Sequence, residues 1–299
     1  MPDTIVVPLD GSDLAEAALP LATTIGRAMG AEIHLVHVRR MTPAASEDAA
    51  EADDARTYLE AVRDRIATAG ASVGTALIPE ETPDLLQPTP SPRATAARLL
   101  EYAAHQKAAL LVMTTHGRGG FSRMWFGSVA DALLRTSTLP LLLAPPSALQ
   151  HADAPIGRVV LALAADETAE KLVRATGRIT TALHPHYALL RIVPPGYTII
   201  GQGVPGAIIM PGIDPDRERA AAERLLDRHA RALGTDDVET AVRFDPTPAR
   251  AILAFAGDAR ADLIAIGTHG RRGLDRLLLG SVADKVVRGA ECSVLVVPP

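Results

Sequence analysis

The sequence has few aromatic residues, with one Trp, four Tyr and four Phe among 299 residues. Its hydrophobic cores must therefore be built mainly from Ala, Val, Leu and Ile. So few rings argue against a surface that stacks the bases of single-stranded nucleic acid. The formal net charge is −5, and there is no basic tail or stripe, so we expect no nucleic-acid partner.

The sequence also lacks paired cysteines and long apolar runs. Its single cysteine, Cys292, excludes an internal disulfide framework and a zinc site built from several cysteines. The surrounding SVLVVPP run predicts that Cys292 is a small core residue. No apolar run approaches the roughly 20 residues that span a bilayer. The first residues carry the acidic Asp3 and no basic region, unlike a secretory signal. We therefore expect a soluble, cytoplasmic protein with no membrane partner.

One segment of the chain occurs twice. Residues 116–131 read HGRGGFSRMWFGSVAD and residues 269–284 read HGRRGLDRLLLGSVAD, so ten of the sixteen positions are identical. Near the N-terminus, IVVPLDGS (5–12) aligns with VVLALAAD (159–166) at almost the same offset, 154 against 153 residues. Both ends of a half-chain therefore keep one spacing, which indicates duplication of a whole domain. We predict domains at 1–148 and 155–299, separated by a polar segment.

Strand-like and helix-like patterns alternate in the same order within each half. The predicted strands are 4–9, 32–38, 71–78, 109–115 and 139–145, then 158–163, 187–193, 238–244, 262–267 and 293–297. The predicted helices are 13–30, 46–69, 93–106 and 127–137, then 166–182, 215–233, 248–258 and 281–289. Continuous apolar strands that alternate with helices predict α/β architecture. We expect two repeated doubly wound domains, each a five-stranded parallel sheet with helices on both faces, which is Rossmann-like. Such sheets bind ligands at the carboxyl ends of strands, where the strand order reverses.

Polar and glycine-rich segments follow the first and fourth predicted strands. The first strand ends at Asp10, whose carboxylate can accept hydrogen bonds from ribose hydroxyls. An alternative is that Asp10 or Ser12 only caps the next helix. The fourth strand of the second half ends in Gly267-Thr-His-Gly270, followed after nine residues by Gly280-Ser281 at a predicted helix start. Helix starts favour anions, and glycines allow a close approach of the backbone.

The glycine segment has a second interpretation, as a surface loop before a helix capped by serine. Its occurrence after a buried strand in both halves favours an anion-binding loop. In the first half the same roles fall to Gly117, Gly127 and Ser128.

The spacing G-x2-G-x9-G-[S/T] after the fourth strand resembles the nucleotide-binding signature of universal stress proteins. The resemblance extends to the opening strand with Asp-Gly-Ser, to LVHV in the second strand and to THGR before GSVAD. It covers both halves and is similar to the tandem-domain branch of that family. It implies an adenine nucleotide alpha hydrolase-like version of the fold, in which ATP lies across the carboxyl ends of strands one and four.

The resemblance implies two sets of binding residues. The first set, site one, is Pro8, Leu9, Asp10, Val38, Met113, Gly117, Gly127, Ser128 and Val129. The second set, site two, is Ala162, Leu163, Ile192, Ile266, Gly267, His269, Gly270, Gly280, Ser281 and Val282. The ligand implied is ATP, with or without Mg²⁺, and AMP or ADP are alternatives. No residues are assigned as catalytic or as metal ligands.

Each half departs from the signature at a different point. Site one keeps Asp10 but has Thr114 in place of the first glycine, whereas site two has the glycines and Ala164 in place of the aspartate. Loss of a charge-assisted bond to ribose costs about 1.5–3 kcal/mol of gross interaction. Threonine in place of glycine costs little if the local φ is negative and is costly if φ is positive. We expect both sites to bind phosphate, with different affinities.

Three functions are consistent with these residues. The first is an ATP-binding sensor or regulator of the stress response with little or no turnover, and hence not an enzyme. The second is slow ATP hydrolysis or autophosphorylation, for which the sequence shows no suitably spaced catalytic base. The third is a nucleotide-free dimerisation scaffold. The resemblance implies that strands 139–145 and 293–297 pair the two halves, and a homodimer could also form. The sequence does not identify a protein partner.

The stretch GQGVPG at 201–206 formally matches G-x-G-x-x-G. It contains a proline, opens no predicted helix and does not follow the first strand, so we interpret it as a lid or spacer.

Overall fold

The computed structural model describes most of the chain. The described residues are 3–40, 45–68, 70–80, 91–115, 127–145, 156–165, 167–195, 197–200, 208–211, 214–268 and 279–299. The strands of the first half are β1 Thr4–Pro8, β2 Glu32–Arg40, β3 Val73–Glu80, β4 Ala108–Thr114 and β5 Leu141–Ala144. Those of the second half are β6 Arg158–Ala162, β7 His186–Val193, β8 Tyr197–Ile200, β9 Ile208–Pro211, β10 Val238–Phe244, β11 Leu263–Gly267 and β12 Ser293–Val297. The helices are α1 Asp13–Glu16, α2 Leu19–Met29, α3 Ala45–Ala67, α4 Pro92–His105, α5 Ser128–Thr136, α6 Thr168–Thr180, α7 Pro215–Ala232, α8 Pro248–Asp258 and α9 Ser281–Gly289.

Ten of the strands form one continuous sheet, in the order β10-β7-β6-β11-β12-β5-β4-β1-β2-β3. Neighbouring strands are parallel within each half. The halves join where β5 and β12 pair antiparallel, with Leu142 opposite Leu295. This is the intrachain pairing implied by the resemblance, and the α/β fold with a repeated parallel sheet is confirmed.

Strand order reverses once in each half, between β1 and β4 and between β6 and β11. At such a point the chain leaves the two neighbouring strands toward opposite faces, which opens a crevice at their carboxyl ends. Because β5 and β12 are antiparallel, the strands of the two halves run in opposite directions. The carboxyl ends of the first-half strands therefore lie at one end of the sheet, and those of the second-half strands lie at the other end. The two crevices open at these opposite ends.

Aliphatic side chains form the core on both faces of the sheet. One face packs against α1, α2, α3, α6 and α7, and the other against α4, α5, α8 and α9. Tyr187, which is 1% exposed, is the only aromatic residue among the fully buried large side chains of the described ranges. Its hydroxyl lies 2.9 Å from the hydroxyl of Thr180. Cys292 is half-buried, and burial raises the pKa of its thiol to about 11.

Two features differ from the sequence-based expectation. The helix predicted at 13–30 is two helices, because α2 begins anew with Pro20 in its first turn, where the missing N–H costs nothing. In addition, β8 and β9 form an antiparallel hairpin apart from the main sheet, with Ile199 opposite Ile209. The GQGVPG segment interpreted as a lid or spacer, 201–206, lies outside the described residues.

None of the helices in the described ranges is both long enough and apolar enough to cross a membrane.

Candidate functional site

The carboxyl end of β1 holds Asp10 in a tight turn. The N–H of Leu9 donates to the carbonyl of Val36 at 2.8 Å, which continues the sheet one residue past the strand. Asp10 Oδ1 then accepts hydrogen bonds from the Ser12 N–H at 3.0 Å and from Ser12 Oγ at 2.6 Å. The intervening Gly11 has φ 81°, a left-handed conformation that glycine adopts without strain.

Ser12, and not Asp10, caps α1. Ser12 Oγ accepts the Ala15 N–H at 3.2 Å and is the N-cap of that helix. The alternative role considered for Asp10 thus belongs to its neighbour. Asp10 remains half-buried at the strand end, with its carboxylate oriented by Ser12.

The helix starts of α5 and α9 are built alike. Their N-caps are Gly127 and Gly280, with φ −58° and −60°, and neither helix has a side-chain capping bond. The Gly127 N–H donates to the Thr115 carbonyl at 2.7 Å, which fixes the helix start beside the end of β4. Ser128 and Ser281 follow as exposed first helical residues and do not cap the helices. The first N–H groups of a helix have no intrahelical acceptor, so both starts favour an anion.

The structure brings the described residues of each predicted set to the carboxyl ends of the strands of one half. Site one combines the end of β1 (Pro8, Leu9, Asp10), the end of β2 at Val38, Met113 of β4 and the α5 start at Gly127, Ser128 and Val129. Site two combines Ala162 and Leu163 at β6, Ile192 of β7, Ile266 and Gly267 of β11 and the α9 start at Gly280, Ser281 and Val282. Gly117, His269 and Gly270 lie outside the described residues.

One equivalent pair of polar residues, His37 and Arg191, is not among the predicted site residues. The strand registers pair Pro8 with Val36 and Ala162 with Leu190, so the offset of 154 makes His37 and Arg191 equivalent. His37 Nδ1 lies 2.8 Å from the Leu9 carbonyl oxygen, to which it donates. Arg191 Nη1 donates to the equivalent Leu163 carbonyl at 3.2 Å. The offset alone could have identified the pair, but the shared carbonyl contact could not be derived from it.

The exchange of Thr114 for Gly267 places no strain on the backbone. Neither residue is among those with positive φ in the described part of the chain. A Cβ added to Gly267 would lie 3.6 Å from Thr168 Oγ1 and 3.9 Å from the Val297 carbonyl oxygen, which are ordinary contacts. Thr114 is itself buried, at 4% exposed. Because φ is not positive at this position, threonine costs little there.

A charge network joins the helices α5 and α9. Arg135 holds Asp131 with two hydrogen bonds, of 2.8 and 3.2 Å. Arg288 bonds Asp131 of the other half at 2.8 Å and its own Asp284 at 3.0 Å. Asp131 and Asp284 both lie in the first turn of their helices. The carboxylates nearest the two helix starts are thus paired with guanidinium groups.

Two surface clefts lie away from these sites. One, of about 400 Å³, is formed between β10 and α8 and includes Arg243 and Phe255. The other, of about 640 Å³, is formed between α3 and the strands β2 and β3. Neither is lined by a residue of site one or site two. Within the described ranges no three His, Cys, Asp or Glu residues are grouped closely enough to hold a metal ion.

These features define a doubly wound α/β protein with an anion-accepting helix start at each of two switch points. The model of the universal stress protein family matches residues 1–145 and again residues 155–298. Because the two matches cover most of the chain, it belongs to the universal stress protein family, in the tandem-domain form.

Individual relatives match in sequence over shorter segments. A universal stress protein of Methanocaldococcus jannaschii is 56% identical over 50 residues, which are 17% of this chain and 29% of that protein. A Staphylococcus aureus protein that carries the same family name is 36% identical over 85 residues, 27% of this chain and 51% of that protein. The chain thus spans about half or less of these two relatives.

A solved structure matches over the full length. The crystal structure of a universal stress protein from Archaeoglobus fulgidus covers 100% of this chain and 99% of its own, with a TM-score of 0.69 and 17% identity. At this identity the likeness shows the fold alone.

Alanine at position 267 tests whether the backbone needs glycine there. We expect Gly267→Ala to change the free energy of unfolding by less than about 1 kcal/mol, because its Cβ meets only ordinary contacts. Gly30→Ala is the matched control, since Gly30 has φ 61° and alanine there costs about 1–2 kcal/mol. Urea unfolding of both variants measures the difference. A loss for Gly267→Ala as large as that for Gly30→Ala would contradict the backbone assignment.

The pKa of Asp131 predicts an acid-sensitive contribution to stability. Hydrogen bonding from Arg135, with a further contribution from Arg288, lowers the pKa of this carboxyl below its ordinary value. A depressed folded-state pKa stabilises the fold above the unfolded pKa of about 3.9 and is lost as pH falls through the folded pKa. Asp131→Asn should therefore be less stable than the wild type at pH 7, with the difference shrinking below about pH 4.

Urea unfolding from pH 7 to pH 3 measures this difference. Glu170→Gln is the control, because it removes one carboxylate from an exposed ion pair with Arg174 on α6. Such pairs contribute little, so its effect should be small throughout. A deficit of Asp131→Asn that stays constant down to pH 3 would refute the predicted linkage.

Proposed function

We propose that this protein binds ATP and acts as a nucleotide-dependent sensor or regulator in the stress response, in the cytoplasm and with little or no turnover. The observation that carries the proposal is the arrangement at the first switch point. A carboxylate oriented at the end of β1 and an uncapped helix start beside β4 lie on either side of one crevice. A nucleotide presents hydroxyl donors on its ribose and an anion on its phosphates, which matches these two groups.

Each part of the nucleotide has a candidate contact in site one. Asp10 would accept hydrogen bonds from the ribose hydroxyls, and the α5 start at Gly127 and Ser128 would bind the phosphates. The adenine would lie against half-buried Val38 and Met113, near the carbonyl of Leu9. Mg²⁺ would accompany the triphosphate as part of the ligand, and AMP or ADP would use the same contacts with fewer phosphates.

The carboxylates of Asp10 in site one and of Asp131 in the adjacent first turn of α5 favour binding over catalysis. Asp10 accepts two hydrogen bonds from Ser12, and Asp131 accepts bonds from Arg135 and Arg288. A general base must accept a proton from the attacking group, and ion pairing makes a carboxylate a weaker base. We therefore propose a role in which ATP occupancy, and not its hydrolysis, is the signal.

Ligand identification tests the proposal directly. The full chain is purified without added nucleotide and denatured, and the released small molecules are identified by mass spectrometry. Calorimetric titration of the native chain with ATP and Mg²⁺ gives the affinity and the number of sites. Adenine nucleotide in the released fraction, or saturable ATP binding, is the expected result. No adenine nucleotide together with no ATP binding would refute the proposal.

Removing the charge of Asp10 should weaken ATP binding at site one. Asp10→Asn keeps an oxygen acceptor for Ser12 but loses the charge-assisted bond to ribose, which is worth about tenfold or more in affinity. Asp13→Asn is the matched control, because it removes an exposed carboxylate three residues along, in α1. Calorimetry should show the loss for Asp10→Asn only. Equal affinities of the two variants would exclude Asp10 as a ribose ligand.

A further inference from the structure

The sheet keeps two outer edges after β5 and β12 have paired. Its terminal strands are β3 and β10, and no strand of the described ranges pairs with the outer edge of either. An unpaired edge presents a row of N–H and C=O groups that can pair with another chain. In β3 this row is interrupted. Ser72 accepts the Ile33 N–H, and the alternation that follows turns Pro79, which has no N–H, outward. The strand β10 reads VETAVRF and has no such interruption.

Alternation also determines which residues of β10 turn their backbone groups outward. Asp237 accepts the Tyr187 N–H at 3.0 Å, and Asp245 donates its N–H to the Val193 carbonyl at 3.2 Å. Because both residues bond β7, the odd-numbered residues of β10 face that strand. The even-numbered residues therefore turn their N–H and C=O groups to the open edge, and they are Val238, Thr240, Val242 and Phe244.

The charges of β10 are complementary to a second copy of the strand. When two copies run antiparallel about a twofold axis at Ala241, Glu239 lies opposite the partner's Arg243. The symmetry repeats this pair on the other side of the axis. Both residues are odd-numbered, so the pair falls at a non-hydrogen-bonded position, where opposing side chains are closest. Opposite charges at such a position stabilise the pairing of strands.

The other face of β10 is complementary in the same register. Val238 lies opposite the partner's Phe244, an aromatic and β-branched pair of the kind that stabilises sheets. Thr240 lies opposite the partner's Val242. These four residues turn their backbone groups outward, so they occupy the hydrogen-bonded positions of an antiparallel ladder.

Neighbouring registers fit less well. A shift of the axis by half a residue would set outward-facing backbone groups against inward-facing ones. An axis at Val242 would place Glu239 opposite the partner's Asp245, and like charges that face each other are destabilising. An axis at Thr240 would move Phe244 opposite the partner's Asp236, which precedes the strand. The axis at Ala241 is therefore the register in which charges, apolar side chains and backbone groups all match.

The Glu239 carboxylate can reach a partner. Its side chain is 47% exposed and borders the cleft of about 400 Å³ between β10 and α8. Oε1 lies 3.4 Å from Arg158 Nη1 and 3.6 Å from His186 Nε2. Both contacts are long and use the same oxygen, so Oε2 has no hydrogen bond within the described part of the chain.

The Arg243 guanidinium lies on the same face of β10 and is also exposed. It lies 5.7 Å from the centre of the Phe255 ring, and its Nη1 donates to the Val242 carbonyl at 3.3 Å. That carbonyl belongs to the open edge. A partner strand would supply a backbone N–H to it and leave the guanidinium to the partner's Glu239.

We propose that β10 joins two copies of this chain in an antiparallel homodimer, with the twofold axis at Ala241. The two ten-stranded sheets then continue into each other, and the two pairs of Glu239 with the partner's Arg243 fix the register. The interface leaves β5 and β12 paired within each chain. It does not depend on nucleotide binding, so the dimer and the proposed function stand or fall separately.

Charge reversal tests the interface in the full-length chain. Sedimentation equilibrium in the micromolar range should show the wild type in a monomer–dimer equilibrium. Glu239→Arg and Arg243→Glu each set like charges opposite each other twice, so each should weaken dimerisation at least about tenfold. Glu170→Arg and Arg174→Glu are the matched controls, because they reverse the charges of an exposed pair on α6 in the same half, and they should leave dimerisation unchanged.

A mixture of the two charge-reversal chains separates lost pairing from lost folding. One chain carries arginine at both positions and the other carries glutamate at both, so every opposing pair is again of opposite charge. The mixture should form a heterodimer, measured by size-exclusion chromatography with light scattering, although neither chain dimerises alone. Thermal unfolding midpoints verify that both chains are folded. A monomeric wild type, a dimer insensitive to both reversals, or folded chains that do not associate when mixed would overturn the proposal.

Cysteine cross-linking tests the position of the axis. Opposing Cβ atoms at a non-hydrogen-bonded pair are about 4.5–5.5 Å apart, which a disulfide can span after a small adjustment. Ala241→Cys should therefore give a cross-linked dimer under mild oxidation. Thr240→Cys is the matched control, because it is more exposed but faces the partner's Val242, and the wild type gives the background from Cys292. Cross-linking of Thr240→Cys as fast as that of Ala241→Cys would refute the proposed axis.

Discussion

The antiparallel pairing of β5 with β12 is the constraint on which the arrangement of the whole molecule depends. Each half, taken alone, would be a five-stranded parallel sheet with β5 or β12 as an open edge, and open edges of buried apolar strands invite aggregation. Pairing these two edge strands, with fully buried Leu142 opposite Leu295, removes both open edges and forms one continuous sheet. It also places the carboxyl ends of the strands of the two halves at opposite ends of the sheet, so the two sites face away from each other.

The same pairing brings α5 and α9 together in opposite directions. Asp131 in the first turn of α5 therefore meets Arg288 at the end of α9, and Arg288 also holds Asp284 in its own first turn. The two helix starts lie at opposite ends of the sheet, yet the acidic residues of their first turns share the guanidinium of Arg288. The network is asymmetric, because Arg135 bonds Asp131 and interacts with Asp284 through its charge without a direct bond. An identical pair of helices would have given an identical set of bonds.

Much of the fold could be predicted from the sequence because apolar runs and their spacing determine it locally. The strand predicted at 238–244 and the helix predicted at 248–258 have the observed bounds. The hairpin of β8 and β9 was not predicted, although YTII and IIMP are short segments that contain the β-branched residues typical of strands. The break between α1 and α2 was also missed, because Pro20 fits a first turn as well as a loop and only tertiary packing separates the two cases.

The residues of the candidate site were harder to predict, because they depend on three-dimensional equivalence and not on a motif. Thr114 departs from the glycine signature that Gly267 keeps, but the observed backbone conformation gives this exchange no conformational cost. The exchange at His37 and Arg191 was unmarked in sequence, yet both side chains hold the carbonyl that precedes the Asp10 or Ala164 position. The loss of an aspartate in the second half coincides with the gain of an arginine beside it. The contact that links the two positions joins neighbouring strands, so no linear motif contains it.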